Sequence, residues 1–77
     1  MQDLGKLVLN ASLFVAGMYP AKTRLLAGDI QEVLVLYKGH CRSIQYSDDE
    51  LTTQTGQALL DTIVLHLLDF KASIEDY

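Results

Sequence analysis

Apolar residues recur at helical spacing along most of this chain, and the pattern is clearest in Ser47–Ile74. On a wheel of about 100° per residue, Leu59, Leu60, Ile63, Val64, Leu67, Leu68, Phe70 and Ile74 fall on one half of the circumference. Asp61, Thr62 and Asp69 fall opposite. The arc is wider than the ~100° stripe of a helix covered on one side only, so the pattern predicts contact with more than one neighbour. The start is marked by Ser47 and Glu50, spaced as a capping box in which each side chain satisfies the other's backbone N–H. Asp48, Asp49 and Glu50 add negative charge at the positive end of the helix dipole.

Upstream, Leu4, Leu7, Val8, Ala11, Phe14, Val15 and Met18 follow the i, i+3, i+4, i+7 rhythm and predict a helix over about residues 3–18, with Asp3 as a cap. Gly5, Asn10, Ser12 and Gly17 weaken it, and strands at Lys6–Leu9 and Leu13–Ala16 are the competing reading. Pro20 suits the first turn of a second helix. Leu26, Ile30, Val33, Leu34, Tyr37 and Cys41 extend that helix to about residue 42. Gly28 then sits mid-helix at a cost of ~1 kcal/mol against alanine, and Gly39 reads as a helix end beside Lys38. Val33–Tyr37 is an unbroken run of strand formers, so a short buried strand competes there. The resulting expectation is an all-α chain of three helices, about 3–18, 20–42 and 48–74, the last two forming an antiparallel helix hairpin because their connection is short.

Size sharpens this picture. A 77-residue domain buries only about 60% of its unfolded surface, and small domains compensate with disulfides, metals or self-association. Cys41 is the single cysteine, so neither a disulfide within the chain nor a cysteine–histidine zinc cluster is available. With 49% hydrophobic residues, a homodimeric helical bundle is the economical solution. Its expected seam is Leu59, Leu60, Ile63, Val64, Leu67, Leu68 and Phe70. A groove for another protein would use the same kind of residues, so the pattern leaves both readings open.

The formal net charge is −4, a poor start for nucleic-acid binding, which rests on phosphate neutralisation. Basic residues gather at Lys22, Arg24, Lys38 and Arg42, whereas the C-terminal part sets Asp48, Asp49, Glu50, Asp61, Asp69, Glu75 and Asp76 against Lys71. Asp48, Asp49, Glu50 and Asp61 are the candidate groups for partner electrostatics. Lys38, His40, Cys41 and Arg42 look most like a reactive site, because bases beside a thiol favour its thiolate. Neighbours on a helix point about 100° apart, so His40 cannot serve Cys41, and no catalytic residue is assigned. His66 lies at the border of the apolar face, where it could act as a packing residue or a pH-sensitive contact. No metal or cofactor site is expected. Tyr19, Tyr37, Tyr46 and Tyr77 are plentiful for this length and suit an interface.

The first apolar run is far short of the ~20 residues a membrane span needs. Asp3, Asn10 and Ser12 argue against a secretory signal, so the expected location is cytoplasmic. The functional expectation is a small non-enzymatic regulatory adaptor that binds another protein, for example a transcription regulator, and pairs with itself. A helix-turn-helix DNA-binding regulator and a secretion or assembly chaperone shielding a partner helix are the alternatives.

Overall fold

The structure is a computed structural model describing residues 3–75; Asp76 and Tyr77, named among the acids and tyrosines, lie outside them. Six elements run in the order α1 (Leu4–Ser12), β1 (Tyr19–Leu26), β2 (Ile30–Tyr37), β3 (His40–Ser47), α2 (Asp48–Thr53) and α3 (Gly56–Glu75). The three strands form one antiparallel sheet in the order β1-β2-β3. The core lies between one face of this sheet and the helices.

This overturns the all-α expectation, the antiparallel helix hairpin and the helical bundle. Residues 20–42 are not a helix but most of two β-hairpins. The reason lies in the turns. Gly28 and Asp29 take positive φ (79° and 59°), as do Lys38 and Gly39 (50° and 80°). Lys38-Gly39 is the two-residue link between paired Tyr37 and His40, and positive φ at both central positions gives the turn whose twist matches flanking strands. A glycine with positive φ ends a helix or turns a hairpin equally well, and this ambiguity made Gly39 readable as a helix end. Between the two turns, the central strand is flanked on both edges and reads as one apolar run, which satisfies a helical period and a strand alike.

The other helices are shorter than expected. In α1, Asp3 caps the first turn by accepting from the N–H groups of Gly5 and Lys6. The helix stops at Ser12, and the chain turns at Gly17 (φ 82°) beneath the Tyr37 ring. The expected 48–74 helix is broken in two: Gln54 is extended (ψ 151°). Thr52 and Thr53 turn their hydroxyls back on the carbonyls of Asp49 and Glu50, the local competition that makes such residues poor helix formers. Thr55 restarts α3 by accepting from the Ala58 N–H at 3.2 Å. The Ser47–Glu50 capping box forms in full.

Val33, Val35 and Tyr37 of β2 and Ile44 and Tyr46 of β3 point into the core, where they meet Leu4, Leu7, Val8 and Ala11 of α1 and Leu59, Ile63, Leu67 and Phe70 of α3. Gln31 fixes one end of the layers: it accepts from the Leu4 N–H and donates to the Asp48 carboxylate, both at 3.0 Å. At the other end, Tyr37 and Lys38 both donate to Glu75, at 2.7 and 2.5 Å. Hydrogen bonding from Lys38 and then Tyr37 holds the Glu75 carboxyl below its ordinary value, and the same bond to Glu75 raises Lys38. Arg42 lies over the Phe70 ring at 4.9 Å and donates to Asp69 and Ser73, binding β3 to α3.

Candidate interaction surface

Two broad faces remain, one on the sheet and one on the helix layer. On the outer face of the sheet, Glu32 is only 4% exposed. It accepts from Arg24 at 2.6 Å, Ser43 at 2.7 Å and Gln45 at 2.9 Å. A buried carboxylate is tolerated when it is paired and hydrogen-bonded, and these bonds, Ser43 first and Arg24 second, hold its pKa below the ordinary value of 4.5. Beside it, Leu34 and Leu36 are half-buried between their neighbours across the strands. This network occupies the middle of the face, and toward its end Tyr19, opposite Leu36, is 55% exposed.

That network makes a testable contribution to acid stability. A folded-state pKa below the unfolded one contributes stability above the unfolded value and loses it as pH falls through the folded one. Stability is thus expected to decline below pH 4.5 through Glu32 and Glu75. Urea midpoints measured from about pH 3 to pH 7 should show a shallower acid limb in Glu32→Gln than in the parent. Equal acid limbs would show that Glu32 has the same pKa folded and unfolded.

The helix layer differs. Leu9 is 53% exposed, Leu13 78%, Phe14 69%, Leu65 66% and Leu68 44%. Leu9 and Leu13 lie one turn apart on the side of α1 opposite its buried residues. Phe14 comes next and, with Leu60, Val64 and Leu65 of α3, lines a groove of about 430 Å³ rimmed by Gln57 and Asp61. Since α1 and α3 pack side by side, these side chains belong to one outward face. Isolated exposed apolar residues are ordinary; here five share the helix layer.

The residues singled out from the sequence divide accordingly. Leu59, Ile63, Leu67 and Phe70 are buried in the chain's own core, Leu60 and Val64 are half-buried beside the groove, and Leu68 is exposed. The wide arc on α3 therefore serves two purposes: its centre meets the sheet and its flank reaches the surface. Of the acids, Asp48 is tied to Gln31 and Glu50 to the capping box, Asp49 is exposed, and Asp61 accepts from Gln57 at the groove. Leu9, Leu13 and Phe14 were missed as surface residues: Leu9 and Leu13 widen the apolar side of the first helix beyond one stripe, whereas Phe14, placed on the stripe itself by the pattern, is exposed because α1 stops at Ser12.

The basic residues do not assemble. Arg24 pairs with Glu32, Lys38 with Glu75 and Arg42 with Asp69. His40 and Cys41 are exposed at the start of β3, and the His66 ring meets the edge of Tyr46 at 6.2 Å. Burial raises the pKa of the Tyr46 phenol. Among the described residues no three His, Cys, Asp or Glu converge as a metal site, and no helix is long and apolar enough to cross a membrane. Comparison with protein-family models, curated proteins and solved structures finds no match.

Proposed function

We propose that this chain is a small non-enzymatic protein-binding module, a regulatory adaptor that acts by contact through its helix layer. The observation that carries the reading is the set of five exposed large apolar side chains on the helix layer, Leu9, Leu13, Phe14, Leu65 and Leu68, of which Phe14 and Leu65 line the groove. The core does not need them: α1 and α3 each bury a separate apolar stripe against the sheet. Arg24, Lys38 and Arg42, three of the chain's six Lys and Arg residues, are paired with its own carboxylates, which favours protein contact over phosphate contact. An exposed thiol suits a reducing compartment such as the cytoplasm.

The test is fluorescence of a dye that reports exposed apolar surface, read at high dilution. The parent should enhance the dye, and Phe14→Ser with Leu65→Glu should abolish the enhancement while the circular dichroism stays unchanged. No enhancement in the parent at any dilution would remove the basis for the reading.

A further inference from the structure

We infer that the free edge of β3 is a further docking site, which takes an extended segment of another polypeptide as a fourth strand. This site is independent of the helix-layer reading.

The phase of the hairpin decides which backbone groups are available. In an antiparallel pair, opposite residues alternate between those that exchange both backbone bonds and those that exchange none. A tight turn bonds the carbonyl of its first residue to the N–H of its fourth, so Tyr37 and His40, facing each other across Lys38-Gly39, are a bonded pair. The N–H and C=O groups of His40, Arg42, Ile44 and Tyr46 therefore point to β2, and those of Cys41, Ser43, Gln45 and Ser47 point away from it. Ser47 agrees with this phase, since its N–H donates to the Glu50 carboxylate at 3.0 Å instead of to β2. Cys41, Ser43 and Gln45 remain, all exposed. Their outward groups recur every ~6.8 Å along the strand. Among the described residues no backbone group beyond β2 bonds them.

The two edges of the sheet differ. Native sheets blunt their edges with proline, lysine and bulges, because an open edge is a template for another strand. β1 has all three, in Pro20, Lys22 and the register shift between them. β3 keeps eight residues in unbroken register with β2 and holds neither proline nor lysine. Its one charged side chain, Arg42, is turned to the core side, where a charge can also deter pairing. Here that charge is already met by Asp69 and the Phe70 ring.

The occupant's chemistry follows from the alternation of β3. On one side an added strand adjoins Ile44 and Tyr46, which belong to the core. On the other it adjoins Ser43 and Gln45, which are exposed and bonded to Glu32. Cross-strand neighbours of like character stabilise a sheet, so the segment alternates apolar and uncharged polar residues. Backbone bonds supply the affinity and the alternating side chains the selectivity, as in other cases of strand addition.

The experiment is an NMR titration of the isotope-labelled chain with an acetylated peptide amide of alternating valine and threonine, closed by a lysine at each end for solubility. The amide protons of Cys41, Ser43 and Gln45 should shift and exchange more slowly with solvent as peptide is added, while those of β1 stay unchanged. Cys41→Pro removes one outward N–H and should weaken binding about tenfold, the loss of one hydrogen bond with a ring in its place. The same peptide methylated on alternate backbone nitrogens, so that it cannot donate to β3, should leave the parent spectrum unchanged; this arm decides the matter if Cys41→Pro does not fold. Shifts confined to β1 or to the helix layer, or no shift at any peptide concentration, would overturn the inference. Slow exchange at Cys41, Ser43 and Gln45 that arises in concentrated protein without peptide and vanishes on dilution would make a second copy the occupant, and would overturn the assignment to another polypeptide.

Discussion

Leu67→Ala is expected to lower the unfolding free energy by about 2–5 kcal/mol, the cost of emptying a fully buried leucine site. Leu68→Ala, one residue on, should stay within about 0.5 kcal/mol when measured at high dilution. The contrast comes from the helix period. Leu67 is completely buried between α3 and the sheet, whereas Leu68 is 44% exposed on the outward side. For a domain of this size the whole stability is about 3–5 kcal/mol, so Leu67→Ala should remove a large share of it and lower the urea midpoint sharply. Urea titration followed by circular dichroism reads both variants. Equal losses at high dilution would mean that the two residues share one environment and that α3 does not turn its Leu67 side to the sheet.

Gly28→Ala tests the middle of the chain by the sign of its effect. In a helix interior, replacing glycine by alanine stabilises by about 1 kcal/mol. In the β1–β2 turn, Gly28 has φ 79°, where a side chain costs roughly 1–2 kcal/mol. A Cβ there would meet nothing within 4 Å, so the effect is one of backbone conformation alone, free of packing. The urea midpoint should therefore fall. A rise would restore the helix that the sequence pattern predicts for residues 20–42.

The sequence was most legible where local chemistry admits one interpretation. Ser47 and Glu50 specify a capping box, and it forms; Asp3 stands just ahead of an apolar helical rhythm, and it caps that helix. It was least legible where two structures share one pattern. Val33–Tyr37 supplies apolar residues at every position, Val33, Val35 and Tyr37 toward the core and Leu34 and Leu36 on the outer face, and such a run fits any period. Gly28 and Gly39 were the better signal. Eleven residues apart and each flanked by strand formers such as Thr23, Ile30, Val35 and Ile44, they mark successive hairpin turns at the usual spacing. Read singly, one became a cost within a helix and the other a helix end.

The surface was legible in composition and not in position. A chain this short with so many apolar residues leaves some of them at the surface, and α3 carries two of the exposed ones, Leu65 and Leu68. What the wheel could not supply was the number of neighbours. Once the core takes in Leu59, Ile63, Leu67 and Phe70, only the flank of the arc stays at the surface, beside the exposed Leu9, Leu13 and Phe14. Glu32 had no signal in the pattern at all. Its burial depends on Arg24, Ser43 and Gln45, which only the register of three strands brings together.

The sharpest test is the accessibility of leucine methyl groups to a soluble paramagnetic agent, followed by NMR across a dilution series. Leu9, Leu13, Leu65 and Leu68 should be strongly broadened at high dilution, as side chains turned to solvent on the helix layer, while Leu59 and Leu67 in the core should be protected at every concentration. Protection of Leu9, Leu13, Leu65 and Leu68 at the highest dilution would show that the chain covers these side chains itself and would contradict the reading of the helix layer as an open binding face.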